Sequence, residues 1–233
     1  MVLCLYKEVL KMKKLFSIVI SAAIIAASLF SINAFAADQP KTDALLDKLD
    51  SATEFSVTLK AGETKLFGVL PADVTNTFAV KGNNIYYEYA SGAVKARLVT
   101  ADEDIYGFFP ALPFFYVKTT NPLKGADVWE MVKKAANLTQ GVLQYVKSYN
   151  ETLDGTEYYV EEYNDREFVT SKFYYIGDDL KVLKVEDAST NSIQYTYFEN
   201  ISFTVDDSVF AVPSAAIDAT PILKGLFLAL IAA

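Results

Sequence analysis

The sequence has no histidine, and its one cysteine, Cys4, lies among the first residues. The first absence removes histidine triads, imidazole general bases and imidazole metal ligands. The second removes thiol nucleophiles, cysteine–zinc sites and disulfides from everything downstream. Stability there has to come from burial and backbone hydrogen bonds. Glycine is sparse: ten residues, never closer than six positions apart. No glycine-rich phosphate loop can be drawn through them, and no Gly-x-Ser-x-Gly elbow occurs. Lysine and arginine are scattered among acids and form no basic stripe, which excludes nucleic-acid recognition. Carboxylates are the plausible catalytic groups left, and Glu161-Glu162, Asp178-Asp179 and Asp206-Asp207 are adjacent pairs. Hydrolytic carboxylates face each other across a bond, whereas neighbours on a strand point to opposite faces. The chain therefore reads as a non-enzymatic protein without a cofactor. Asp102-Glu103-Asp104 leaves a calcium cage open beside the plainer reading of a solvated turn.

What is present begins with a leader. Lys11, Lys13 and Lys14 precede the uncharged run from Leu15 to Ser31, which Ala34-Phe35-Ala36 follows. Positive cluster, apolar run and small-residue site, in that order, are the secretory signature. An uncleaved membrane anchor is the other reading, and the Ala-x-Ala site favours cleavage. No cysteine stands near that site to carry a lipid anchor. Residues 1–36 thus read as a signal peptide, 37–215 as one domain and 216–233 as an apolar tail, with an extracytoplasmic location: secreted, periplasmic or at the cell surface. The leader carries four Lys and one Glu, so the remaining 197 residues hold a formal charge of −11. A domain that acidic is not drawn to nucleic acid or to anionic lipid surfaces.

The mature stretch opens on a linker leading into a short helix that places Ala44, Leu45, Leu46 and Leu49 on one face. Strand-like alternation follows. Phe55, Val57 and Leu59 point one way, and Glu54, Ser56, Thr58 and Lys60 the other. Turn signals at Gly82-Asn83-Asn84, Ser91-Gly92 and Asp102-Glu103-Asp104 separate runs at Thr77–Lys81, Ile85–Ala90, Val94–Thr100 and Ile105–Phe109. Asp127 and Glu130 fit a capping box. Behind them Val128, Val132, Ala135, Thr139, Val142, Val146 and Tyr149 predict one amphipathic helix packed on the sheet. Strands resume at Tyr158–Tyr163, Glu167–Ile176 and Leu180–Glu186, with turns at Asn164-Asp165 and Gly177-Asp178-Asp179. The run from Ser192 to Val205 predicts a long strand with Ile193, Tyr195, Tyr197, Ile201, Phe203 and Val205 on one face. Only Phe198 and Glu199 break its alternation.

Aromatic residues are plentiful: residues 37–233 carry 14 Tyr, 13 Phe and one Trp. Large aromatics fill cores, but two stretches exceed that use. The run from Gly107 to Val117 is nearly all apolar and contains Pro110 and Pro113, which make it a poor central strand. It reads equally as a loop covering the core or as the mouth of an apolar pocket. The run from Ile222 to Ala233 is shorter than the roughly 20 residues that span a bilayer. A helix docked on the domain, a plug for its own sheet and a membrane-surface contact are all open for it.

The stretch Tyr158–Ala215 resembles the C-terminal half of the LolA-like and LppX-like exported proteins. That superfamily includes the periplasmic lipoprotein carrier and envelope sensor domains of sigma-factor regulators. The likeness lies in Tyr158-Tyr159-Val160, then Tyr174-Tyr175-Ile176, then Leu180 to Val185, then Tyr195 to Ile201, then the ending Asp206-Asp207-Ser208-Val209-Phe210-Ala211-Val212-Pro213. It implies a mainly β (α+β) fold: a curved, unclosed antiparallel sheet wrapped around an amphipathic helix, a half-barrel with an apolar cavity for acyl chains. On that footing Phe108, Phe109, Phe114, Phe115 and Tyr116 are the expected mouth. Trp129, Tyr195 and Tyr197 are the expected wall. The expected function is a carrier or binder of a lipid or acyl chain in the cell envelope. The alternative is an envelope protein-interaction or sensor module with a filled core, read by a protein partner.

Overall fold

Alternating apolar and polar residues build nearly every strand. A computed structural model of the chain describes residues 40–61, 74–91, 94–101, 103–108, 114–121, 123–137, 144–166, 168–213 and 216–222. The expected signal peptide, Phe109 and most of the expected tail lie outside these residues. Helix α1 (Lys41–Ser51) leads into β1 (Glu54–Ala61), β2 (Val74–Lys81), β3 (Asn84–Ser91), β4 (Val94–Ala101), β5 (Asp104–Phe108) and β6 (Phe115–Thr120). Helix α2 (Val128–Asn137) precedes a second run: β7 (Gln144–Leu153), β8 (Thr156–Arg166), β9 (Val169–Ile176), β10 (Asp179–Asp187) and β11 (Ser192–Ser202). A 3-10 turn at Asp207–Phe210 and a short β12 (Ile217–Asp218) follow. Strand β12 thus falls within the stretch read as tail.

All strands join one open sheet in the order β12-β6-β5-β4-β3-β2-β1-β11-β10-β9-β8-β7. Neighbours run antiparallel, save β12, which lies parallel to β6. Two meanders, β1–β6 and β7–β11, are joined at the β1–β11 pair, where Ser56 faces Ser202. The sheet is strongly curved. Ile85 of β3 and Tyr163 of β8 belong to one apolar cluster, although five strands separate them in the sheet. On a flat sheet they would be about 29 Å apart, at about 4.8 Å per strand. Helices α1 and α2 fill the concave side between them, through Leu46, Leu49, Val128 and Trp129. The result is a half-barrel that does not close.

Two expectations are corrected. The helix expected to run to Tyr149 is described over Val128–Asn137, Thr139 and Val142 lie outside the described residues, and Tyr145, Val146 and Tyr149 lie in β7. Asp154 and Gly155, with φ of 51° and 79°, make the tight left-handed turn that suits a two-residue hairpin, and so pair β7 with β8. That pairing overrides the apparent helical stripe. The capping box is half formed: Asp127 Oδ1 accepts from Glu130 N at 3.0 Å, while the Glu130 carboxylate pairs with Lys133.

The second correction concerns the long strand. Thr58 faces Asn200 and Leu59 faces Phe198, so Glu199 is an extra residue, a β-bulge. Side chains exchange faces across it. Tyr195 and Tyr197 pack on the convex side with Val160, Tyr174 and Val182. Phe198, Ile201 and Phe203 pack on the concave side, and Val205 returns to the convex side. The two residues that broke the alternation mark the place where the faces change.

Candidate functional site

The concave face is an apolar trough under a helical cover. Its floor is Phe55 and Val57 of β1, Phe78 of β2, Phe173 of β9, Leu183 of β10 and Phe198 of β11, all buried. Alternation carries the same face onto the other half of the sheet. There Leu98 of β4 and Val117 of β6 flank Gly107 of β5, which adds no side chain to the trough. The cover is held in two ways.

Helix α1 is held by a carboxylate from far along the chain. Its first residue is preceded by Pro40, which supplies no side-chain cap. Glu161 of β8, fully buried, takes that role. Its Oε1 accepts from Lys41 N at 2.7 Å, and its Oε2 from Thr42 N at 2.9 Å and Thr42 Oγ1 at 2.6 Å. A buried carboxylate on the free N–H groups of a helix start is favourable in charge and in hydrogen bonding. The Tyr163 hydroxyl donates to the same Oε2 at 3.3 Å. Because the Thr42 proton goes to Glu161, the Tyr175 hydroxyl at 2.8 Å donates to Thr42 Oγ1. Burial, chiefly, raises the phenol pKa of both tyrosines. Asp43, one residue further along α1, is pushed up to about 6 by burial first and then by the charges of Glu161 and Asp47. Its Oδ1 is buried without a hydrogen-bond partner.

Helix α2 is held through Trp129. The indole stacks on Phe55 with ring centroids 5.3 Å apart and 17° between planes, and its Nε1 donates to Ala52 O at 2.6 Å. Phe203 also packs against Phe55, with ring centroids 6.0 Å apart. Trp129 thus closes the trough at the junction of α1, β1 and α2.

Of the eight residues expected to form a mouth and a wall, the seven described do not line one cavity. Trp129 alone sits in the trough. Phe108 and Tyr116 lie on the convex face, 6.4 Å apart, with the Arg97 guanidinium 4.9 Å from the Phe108 ring. They are covered by the segment through Val205, Val209 and Phe210. Lys81 pins that segment, pairing with Glu54 at 3.0 Å and Asp207 at 2.8 Å and reaching Val205 O at 3.4 Å. Tyr195 and Tyr197 stack on each other on the convex face of the other half, 6.3 Å apart. The bulge at Glu199 is the reason. Phe114 and Phe115 are exposed at the sheet edge, and Phe109 lies outside the described residues.

The adjacent carboxylates do point apart. Glu161 caps α1, while Glu162 on the other face accepts from the Tyr149 hydroxyl at 3.0 Å. Asp178 pairs with Lys41 and Asp179 with Lys181, each at 3.0 Å. Asp206 Oδ1 caps the 3-10 turn through Ser208 N at 2.8 Å. A cavity of about 430 Å³ opens near the tip of the β2–β3 hairpin, lined by Gly82, Asn83, Asn84, Thr100, Asn121 and Gly125. Its lining is polar.

Fold and trough together define an open half-barrel covered by two helices. No family model matches the chain, and no curated protein matches it. Among solved structures it is similar to an uncharacterised conserved protein of Thermus thermophilus, at 9% identity and a TM-score of 0.39, covering 77% of this chain and 99% of that one. It is similar as well to a LolA superfamily protein of Nitrosomonas europaea, at 14% identity and a TM-score of 0.29, covering 72% and 96%. Both are likenesses of fold, and no site residue is carried over from either.

Proposed function

We propose that the protein is exported and binds an apolar ligand, a lipid or acyl chain, in the trough of its open sheet, with α2 as the movable cover. The observation that carries this reading is the hold on α2. The largely apolar floor is closed by α2 through buried Val128, through the ring stack and hydrogen bond of Trp129, and through Lys133 Nζ on Asp50 O at 3.4 Å. The stack adds about 1 kcal/mol beyond its area and the hydrogen bond about 1 kcal/mol net. Each buried methylene returns about 0.8 kcal/mol, so an acyl chain of about ten carbons returns about 8 kcal/mol against these two and the burial of Val128, worth about 2 kcal/mol.

Trp129 is the only tryptophan in the sequence, which makes the test direct. Titration with a bromine-labelled fatty acid should quench its emission saturably, and native mass spectrometry should show one added ligand. Absence of quenching, with a clean unliganded mass at saturating fatty acid, overturns the reading. One observation favours a second reading, a cell-envelope interaction module with a filled core. Trp129, Phe55 and Phe203 already occupy the covered end of the trough, and the 430 Å³ cavity is polar. Under that reading the protein surface, not the trough, meets a partner.

A further inference from the structure

We infer that the polar cavity beside the β2–β3 turn is a binding site for a neutral polyhydroxylated ring, such as a single hexose, independently of whether the trough takes a ligand. Three parts of the chain meet there. The β2–β3 turn brings Gly82, Asn83 and Asn84, β4 brings Thr100, and the loop from β6 to α2 brings Asn121 and Gly125. The cavity measures about 430 Å³. Small-molecule sites span roughly 300–1,000 Å³, so one sugar ring fits. Its border with the trough is marked by one contact. Ile85, a member of the apolar cluster, donates its N–H to Thr100 Oγ1 at 2.7 Å.

Asn121 gives the cavity a fixed, unmet donor. The residue is 6% exposed. Its backbone is held on both sides: its N donates to Glu103 O at 2.7 Å, and its O accepts from Lys124 N at 3.3 Å. Leu123 N donates to its Oδ1 at 2.9 Å. A backbone N–H can only donate, so the side-chain oxygen is spent there and the NH₂ is left over. Among the described residues that NH₂ has no partner. A shielded amide without a partner is costly, and a ligand hydroxyl supplies the acceptor. Asn83 and Asn84 add two exposed carboxamides. The chemistry of the ligand follows from what surrounds it. Among the described residues no charged side chain lines the cavity. Glu103 and Lys124, on the flanking turns, pair with each other. An ionic ligand would lose hydration without meeting a counter-charge, and an apolar one would strand the amides. A ring of hydroxyls matches, because each hydroxyl both donates and accepts, as each carboxamide does.

The test uses the full chain with three neutral hexoses, glucose, galactose and mannose, and with glucuronate, the charged counterpart of glucose. Ligand-observed saturation-transfer NMR should show saturable, millimolar binding of at least one hexose. Glucuronate should bind at least about tenfold more weakly than glucose. Asn121→Asp keeps an oxygen for the Leu123 N–H and removes the NH₂, so hexose affinity should fall about tenfold, the worth of one hydrogen bond. Asn84→Ala, at an exposed position, should weaken binding too, and it keeps the test decisive if Asn121→Asp does not fold. Asn150→Ala, on β7, should bind as wild type does. Circular dichroism reports folding in each case. Loss of affinity in either folded cavity variant supports the site. No saturable binding of any of the three hexoses overturns the inference, as does glucuronate binding as tightly as glucose. Wild-type affinity in every folded cavity variant overturns it as well.

Discussion

The carboxylate of Glu161 in β8 closes the start of α1 at Thr42, 119 residues earlier in the chain. The bond fixes the helical cover to the second meander, while Trp129 fixes it to the first. Replacing Glu161 with Gln keeps the shape but turns an NH₂ donor toward backbone N–H groups that need an acceptor. The expected cost is about 3 kcal/mol, as for breaking a buried charge-assisted network. Urea unfolding should show the midpoint falling with an unchanged slope. A shift below about 0.5 kcal/mol, the scatter of ordinary surface changes, would mean that the cap does not hold the helix.

Asp43 gives the domain a pH response of definite sign. Its carboxyl sits near 6 in the fold against an ordinary value of 3.8, mainly through burial. Folding therefore favours the protonated form. Its contribution to stability is fully present below pH 3.8 and is lost as pH rises through 6. Asp43→Asn keeps a neutral side chain at every pH. The variant and wild type should melt at similar temperatures at about pH 4, with the variant pulling ahead by about pH 7.5. A gap between them that is constant across pH would contradict this assignment.

Trp129→Phe retains a ring against Phe55 and loses the indole bond to Ala52 O. We expect a loss of about 1–2 kcal/mol from the orphaned carbonyl and the smaller ring. Under the proposed function the same change loosens the cover, so fatty-acid uptake should quicken while equilibrium stability falls. Stopped-flow uptake and thermal melts, run on the same samples, check both.

Deleting Glu199 removes the bulge and puts β11 back in simple alternation. One end of the strand must then turn its side chains to the wrong face: either Tyr195 and Tyr197 leave the convex cluster, or Ile201 and Phe203 leave the concave one. The deletion should unfold the domain or cut its melting temperature steeply. Glu199→Ala, which keeps the extra residue, should leave it nearly unchanged. Similar melting curves for the deletion and for wild type would show that the bulge is dispensable.

Much of this fold is legible from local pattern. The β2–β3 turn is announced by Gly82-Asn83, and β1, β3, β4, β9 and β10 follow visible alternation, because a strand with one covered face must alternate. The errors share one cause. The stripe from Val128 to Tyr149 satisfied helical spacing, yet Asp154-Gly155 beyond it required a strand before the turn, and hairpin pairing outweighed periodicity. The break at Phe198-Glu199 was visible in the sequence, but its meaning depended on which strand lay opposite. The site was less legible. In sequence Glu161 is only one of an adjacent pair of acids on a tyrosine-rich strand, since its partners at Lys41 and Thr42 are distant along the chain. Trp129, an expected wall residue, lies in the trough. The residues paired with it on paper were dispersed over three surfaces by strand alternation and the bulge.

The seam between β1 and β11 also bears on the order of events in time. A chain that emerges from its N-terminus holds β1 with β2 on one side and nothing on the other until Ser202 has arrived. For that interval the edge carrying Phe55, Val57 and Leu59 is an open template for wrong partners. Neither meander alone encloses the trough, because its floor draws on strands from both. Completion of the half-barrel is therefore a late, long-range closure and a slow step. A protein built this way stays unfinished until its last strands are made.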